Sequence, residues 1–313
     1  MSNKPLIILT GPTSVGKTSL SVSLAKAVDG EIISADSMQV YKFMDIGTAK
    51  ITNDEMGGIP HYLISEIEPD EEFNVVKFQQ YAKGYINSIH ERNKIPILVG
   101  GTGFYIQAVL YDIDFEESES DDAYRAELEL LAKTKGSGYL HALLKDTDPE
   151  SGAAIHPNNT KRIIRALEYV RLTGKPISAH NEEQRKKTSP YNYKYFVLNM
   201  DRKKLYDRIN NRVDIMIKNG LVKEVQSLLD MGYSKGMVSM QGLGYKEIID
   251  YLEGNCTLDE AVEILKRDTR HYAKRQITWF KRERNVIWID KDNYANDDEI
   301  IEYIISISKN IIK

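Results

Sequence analysis

The sequence holds a single cysteine, Cys256, in 313 residues. An internal disulfide is therefore excluded, and the lone thiol fits a reducing compartment and a structural role, because no catalytic motif surrounds it. Six histidines lie far apart without metal-ligand spacing, so no zinc site is expected, and no Ser–His–Asp pattern is present. No apolar run approaches the length of a bilayer-spanning helix. The run Leu6-Ile7-Ile8-Leu9 is too short for a secretory leader, and the expected location is cytoplasmic. Excess positive charge is also missing: 42 Lys and Arg stand against 46 Asp and Glu, a net charge of −4. Any polyanion contact must then be a local patch. Internal repeats and low-complexity tracts are absent. Hydrophobic content of 42% and charged content of 28% are ordinary for a globular chain long enough to bury a core without staples.

Against these absences stands Gly11-Pro12-Thr13-Ser14-Val15-Gly16-Lys17-Thr18, which fits the P-loop pattern. Leu6-Ile7-Ile8-Leu9 before it predicts a buried strand. Ser19 to Val28 after it predicts a helix with Leu20, Leu24 and Val28 on one face. Strand, glycine loop and helix form an anion cradle: backbone N–H groups and the helix N-terminus face a phosphate chain, Lys17 adds charge, and Thr18 can hold Mg²⁺. Alone, the motif points to a nucleotide such as ATP and leaves open which bond breaks.

Residues 1–114 alternate between strand and helix patterns. Glu31-Ile32-Ile33-Ser34-Ala35 is a candidate strand delivering Asp36-Ser37, Phe73 to Arg92 a candidate helix, and Ile95-Pro96-Ile97-Leu98-Val99 a third strand ending in Gly100-Gly101-Thr102-Gly103. This alternation predicts an α/β fold, a P-loop NTPase-like parallel sheet flanked by helices, with ligands beyond the carboxyl ends of the strands. Loops 11–18, 36–41 and 100–105 should converge there. From the acidic stretch 112–122 to about Tyr191 the pattern is helical, and Tyr195 to Met200 reads as a return to the sheet. The expected organisation is a catalytic core, 1–114 and 194–313, with a helical insertion domain, 115–193. Residues 203–284 read as helical, and Ile300 to Lys313 as a final amphipathic helix.

Asp36 has three possible roles at a strand end beside a phosphate site: Mg²⁺ ligand, general base, or N-cap of a turn. Gly100-Gly101-Thr102-Gly103-Phe104-Tyr105 stands where many P-loop NTPases carry a strand ending in Asp. Its glycines suggest close approach of a substrate to the backbone, and the missing carboxylate weakens the case for ATP hydrolysis. Arg208 and Arg212 are one helical turn apart and suit a phosphate clamp. Lys161-Arg162-Ile163-Ile164-Arg165 places Arg162 and Arg165 on one helix face. Between residues 266 and 284, eight Lys or Arg stand against two acids, and Lys266, Arg270, Lys274 and Lys281 suggest a stripe for a polyanion. Gln241-Gly242-Leu243-Gly244-Tyr245-Lys246 reads as a glycine-spaced loop with an exposed aromatic.

Taken together, Gly11 to Thr18, Asp36 to Tyr41, Asp45 to Lys50, Gly100 to Tyr105, Ile155 to Asn158, Lys161 to Glu168, Arg212 with Met216 and Gly220-Leu221, Gln241 to Tyr245 and Ala273 to Trp279 resemble the tRNA dimethylallyltransferase (tRNA isopentenyltransferase) family. The resemblance runs in order over nearly the whole chain. Some eukaryotic relatives carry a zinc-finger tail; none is seen here, as in the bacterial form. The resemblance implies transfer of a dimethylallyl group from dimethylallyl diphosphate to N6 of adenine 37, next to the anticodon of tRNA. It implies that the P-loop cradles the leaving diphosphate, that Lys17 and Arg212 neutralise it, that Thr18 holds Mg²⁺, that Asp36 is the general base and that Thr102 fixes the reacting centre. The target adenine must be flipped from its stack. RNA contacts are implied for Asp36, Ser37, Met38, Gln39, Thr102, Arg125, Lys161, Arg162, Ile163, Ile164, Arg165, Gln241, Gly242, Leu243, Gly244, Tyr245 and Lys246. Two alternatives share part of these motifs, an isopentenyltransferase acting on free AMP, ADP or ATP and a small-molecule P-loop kinase. A monomer is expected.

Overall fold

A computed structural model describes residues 4–115 and 121–312, so part of the acidic stretch and the last residue of the expected C-terminal helix lie outside it. Residues 1–110 with 190–313 form one compact unit and residues 111–189 a second.

The first unit is built on a parallel sheet. Its strands are β1 (Lys4–Thr10), β2 (Gly30–Ala35), β3 (His61–Tyr62), β4 (Ile95–Gly100), β5 (Tyr191–Asn199) and β6 (Val286–Asp290). Their order in the sheet is β3-β2-β4-β1-β5-β6. Leu6, Ile7, Ile8 and Leu9 are all fully buried, which is why the sequence there is continuously apolar instead of alternating. The pleat sends Ile7 and Leu9 to one face, where they join Leu20, Leu24 and Val28 of α1 (Lys17–Val28). That face also holds Leu205 and Ile209 of α10 (Arg202–Lys218) and Ile300 and Ile304 of α14 (Asp297–Ser308). The single turn α2 (Asn53–Met56) follows β2, and on the other side of the sheet α3 (Val75–Glu91) packs against β2, β4 and α4 (Gly103–Leu110). Chain connections leave β1 toward β2 on one side and reach β5 on the other, so the loops after β1, β2 and β4 border a topological switch point.

Helices α11 (Leu221–Asp230), α12 (Tyr245–Leu252) and α13 (Leu258–Phe280) follow α10. The expected helix over residues 73–92 is α3, started by Asn74, whose Oδ1 accepts from the amides of Val76 and Lys77. The strand expected at 195–200 extends back to Tyr191, and the final helix spans Asp297–Ser308, begun by Asn296. Strands β3 and β6 were not expected. The two-residue β3 has no periodicity to show, and β6 sits at a sheet edge beside the basic run, with Trp288 partly exposed.

The second unit is helical: α5 (Asp122–Lys135), α6 (Ser137–Thr147), α7 (Pro149–Ala154), α8 (Thr160–Thr173) and α9 (Ile177–Lys186). Its core gathers Leu128, Leu140, Leu144, Ile163, Ile164 and Leu167. Among the described residues no helix is long and apolar enough to cross a membrane.

Candidate active site

The turn after β1 makes an anion cradle. A Cβ on Gly11 would lie 2.6 Å from the Leu198 carbonyl oxygen, and its φ of 148° adds a conformational bar, so only glycine fits. Ser14 and Gly16 adopt positive φ, and Gly16 precedes α1 without a side-chain cap. The first N–H groups of α1 thus remain available to an anion. Val15 is fully buried and anchors the loop. Lys17 folds back, its Nζ 3.0 Å from Gly11 O and 2.9 Å from Pro12 O.

Lys17 and the neighbouring Thr18 line a cavity of about 330 Å³ together with Thr13, Ser14, Gly16, Asp36, Gln39, Thr48, Gly101, Arg208, Arg212, Tyr272 and Gln276. The structure therefore brings together Lys17, Thr18, Asp36 and Arg212. Three cations (Lys17, Arg208 and Arg212) face the cavity with one carboxylate, Asp36. Burial, reinforced by Arg212, pushes the Lys17 ammonium down to about 8, with Asp36 opposing the shift. Arg212 is held below its ordinary value by burial and by Arg208, while Asp36 acts in the opposite direction. Crowded, desolvated cations of this kind are relieved by a polyanion. The Asp36 Oδ1 accepts from the amides of Met38 (2.9 Å) and Gln39 (3.3 Å), which fixes the carboxylate at the strand end.

The glycine–threonine loop has a different logic from the one expected. A Cβ on Gly101 would lie 2.2 Å from Gln276 Nε2, and one on Gly103 would lie 2.2 Å from Trp279 Cδ1. A Cβ on Gly100 would meet the Ala35 carbonyl at 2.1 Å. These glycines admit β2 and helix α13, not a substrate. Gln276 then bridges two loops: its Oε1 accepts from the Thr13 amide (2.9 Å) and its Nε2 donates to Gly101 O (3.0 Å). Tyr272, Gln276 and Trp279 are spaced i, i+4, i+7 on α13, one face meeting residues 101–103. The Thr102 amide donates to Ala35 O (3.2 Å). Its buried hydroxyl makes no hydrogen bond of normal geometry, although the Tyr272 phenol lies beside it. Sequence reasoning missed Gln276 and Tyr272 as cavity residues. Nothing local in the sequence marks them, because the two glycine loops that they meet lie far away along the chain.

The Asp45-Ile46-Gly47-Thr48 motif is a structural nest. The Glu224 carboxylate of α11 accepts from the amides of Asp45 (3.0 Å), Ile46 (2.7 Å) and Gly47 (3.0 Å), and from the Tyr245 hydroxyl (2.8 Å). Gly47 is required because a Cβ there would lie 2.6 Å from the Tyr245 ring. Tyr245 was expected to be exposed; it is fully buried, so it cannot stack on a base. Gly244 has positive φ before α12, and Glu247 caps it by accepting from its amide (2.8 Å). Lys246 pairs with Glu247 at 3.4 Å. Gly242 abuts Met38, where a Cβ would lie 2.5 Å from the methyl carbon, so the turn containing Gln241, Gly242 and Leu243 sits against the Asp36 loop. Ser37, Met38 and Gln39 are half-buried, and Gln39 Nε2 donates to Thr48 O (3.2 Å).

In the second unit, Lys161, Arg162 and Arg165 are exposed on α8, whereas Ile163 and Ile164 lie in its core and offer no side-chain contact to RNA. The alternation of basic and apolar residues there is the amphipathic pattern of α8 itself. Arg125 is committed to Glu168, its Nη2 2.9 and 2.7 Å from the two carboxylate oxygens. The stripe expected on α13 also resolves into partners: Lys266 pairs with Asp214 (2.8 Å) and Arg270 donates to Asn210 Oδ1 (2.6 Å). Lys274 and Lys281 are exposed. Among the described residues no group of three or more His, Cys, Asp or Glu is arranged to hold a metal ion.

Residues 39–283 match the model of the family described as IPP transferase. The chain is 63% identical over 312 residues to a tRNA dimethylallyltransferase of Lachnoclostridium phytofermentans, covering 99% of this chain and all of that protein. It is 54% identical to the tRNA dimethylallyltransferase of Acetivibrio thermocellus, covering 95% of each. Among solved structures, the full-length tRNA isopentenylpyrophosphate transferase of Bacillus halodurans is 47% identical, with a TM-score of 0.75, covering 99% of this chain and 97% of that one. A eukaryotic dimethylallyltransferase acting on tRNA is 30% identical, with a TM-score of 0.80, covering 98% of this chain and 80% of that one.

Proposed function

The chain belongs to the IPP transferase family, and from that premise we propose that it transfers the dimethylallyl group of dimethylallyl diphosphate to N6 of adenine 37 in tRNA, releasing diphosphate. One observation carries the reading: a single cavity joins an anion cradle with three cations to one backbone-anchored carboxylate, Asp36. A base so placed would serve phosphoryl transfer to a hydroxyl as well; relatives named tRNA dimethylallyltransferase, at 63% and 54% identity, favour alkylation of an exocyclic amine.

The chemistry follows from that arrangement. The lone pair of adenine N6 is delocalised into the ring, so the amine is a poor nucleophile until its proton is removed. Asp36 orients N6 and accepts that proton. The N6–C1 bond forms as the C1–O bond breaks, and the electron pair leaves on diphosphate. Lys17, Arg208 and Arg212, with the N–H groups of the loop, stabilise the charge that grows on the departing oxygen. Preorganised groups of this type supply a large part of most rate enhancements.

Thr18 presents a hydroxyl at the start of α1, at the cavity wall. One hydroxyl is too few donors for a protein-only Mg²⁺ site, but it suits an ion that takes its other ligands from diphosphate and water. When bound there, the ion offsets phosphate charge. The exposed Lys161, Arg162 and Arg165 provide phosphate contacts for the RNA from the helical unit. The enzyme works as a cytoplasmic monomer on this reading.

The test is to incubate the protein with Mg²⁺, dimethylallyl diphosphate and either unmodified tRNA, AMP or ATP, and to measure diphosphate release. Release that depends on tRNA and not on ATP is expected. Product formed with AMP alone, or phosphoryl transfer from ATP, contradicts the proposal.

A further inference from the structure

Tyr272 lines the cavity with Asp36, Lys17 and Arg212, yet the reaction as derived above gives it no role. It sits one turn before Gln276 on α13, the helix that ties the phosphate loop to Gly101. Its phenol lies beside the Thr102 hydroxyl, which is buried without a hydrogen-bond partner of normal geometry. Tyr272 thus brings a neutral donor to the cavity wall that holds Lys17, Arg208, Arg212 and Asp36, with the Thr102 hydroxyl buried beside it.

We propose that Tyr272 is a further catalytic residue, whose phenol, paired with the Thr102 hydroxyl, donates a hydrogen bond to the diphosphate oxygen that departs from C1. This rests on the transfer reaction proposed above. The leaving oxygen gains charge only as its bond to carbon breaks, so a donor aimed at it strengthens in the transition state and not in the ground state. A neutral donor is the appropriate kind close to Asp36. A further cation there would pair with the carboxylate and blunt it as a base. Burial, and then the charge of Asp36, push the Tyr272 phenol up to about 12, so it stays protonated and able to donate across the working pH range. No proton is transferred by this group: Asp36 takes the N6 proton, and diphosphate leaves with the electron pair.

The experiment is Tyr272→Phe, which removes one oxygen from a half-buried ring. A fall in kcat of about 10–100-fold is expected, somewhat less than the loss for a sole oxyanion donor because Lys17, Arg208 and Arg212 remain. KM for dimethylallyl diphosphate and the dissociation constant for tRNA should stay within about threefold, and the thermal midpoint should be unchanged, as expected for a contact made only in the transition state. A kcat within twofold of the parent, or a loss matched by equally weakened tRNA binding, overturns the proposal. As a second variant, site-specific difluorotyrosine at position 272 is more acidic. It should move the alkaline limb of kcat to lower pH, and an unmoved limb also overturns the assignment. Tyr272 is tested only against a turning-over parent enzyme; a parent that does not turn over dimethylallyl diphosphate and tRNA sinks the underlying reaction instead.

Discussion

Gln276→Ala is the most informative perturbation of the site scaffold. The side chain is buried and makes one bond to each of two loops, 2.9 Å from the Thr13 amide and 3.0 Å to Gly101 O. Truncation orphans a buried carbonyl and a half-buried amide. Each orphaned group costs about 1–3 kcal/mol, with the Thr13 amide at the low end because water can reach it. The expected total is about 2–4 kcal/mol, a fall in thermal midpoint of roughly 5–12 °C for a unit of this size. The phosphate loop would also lose its tie to α13, so binding an anion must then order it. A penalty near 1.4 kcal/mol corresponds to about a tenfold weaker affinity for inorganic diphosphate. Scanning fluorimetry and titration calorimetry with inorganic diphosphate read both effects. Gln276→Glu keeps the acceptor and loses the donor, and should fall between parent and alanine variant. A midpoint within 1 °C of the parent together with unchanged diphosphate affinity would refute the bridge as the element that holds the loop.

Further outcomes follow from the same geometry. Gly103→Ala drives a Cβ to 2.2 Å from Trp279 and should cost about 1–3 kcal/mol by overpacking, measured by urea unfolding; a neutral result would mean that α13 yields freely. Asp36→Asn should bind tRNA nearly as the parent does while losing most of kcat, and full activity would remove the base role. In the free protein Lys17 loses its charge above about pH 8, so KM for dimethylallyl diphosphate should be flat below that pH and rise above it. Because its folded value lies below the unfolded one, the same group favours the folded state increasingly as pH rises from about 8 to about 10.5. A KM independent of pH between 7 and about 9.5 would count against Lys17 as a diphosphate contact. Neutralising Arg165 should weaken tRNA binding and flatten its salt dependence, whereas the Ile164 side chain, being core, should affect stability first.

Much of this was legible in the sequence because the signals were local. The P-loop carries its strand, turn and helix within 25 residues, from Lys4 to Val28, and β2 and β4 are short apolar runs ending in loops that meet it. Features that depend on distant partners were not legible. Gly101 and Gly103 look like glycines for a ligand until Gln276 and Trp279, some 175 residues later, are seen to fill the space. Tyr245 stands in a glycine-rich segment that reads as an exposed loop, but Gly47 and Glu224 make the pit that buries it. A charge run has the same ambiguity: Lys266 and Arg270 look like a polyanion track until Asp214 and Asn210 on α10 take them. Residue types announced the chemistry, while long-range packing decided which of them remained free to perform it.

On the proposed reaction, this cavity breaks a carbon–oxygen bond and makes a carbon–nitrogen bond on tRNA. The most direct measurement digests tRNA treated with the protein and dimethylallyl diphosphate to nucleosides and fragments, and reads them by mass spectrometry. One dimethylallyl group per tRNA is expected, on N6 of the adenine at position 37, and none with Asp36→Asn. Alkylation at another position or atom, or unmodified tRNA alongside released phosphate from ATP, would contradict it.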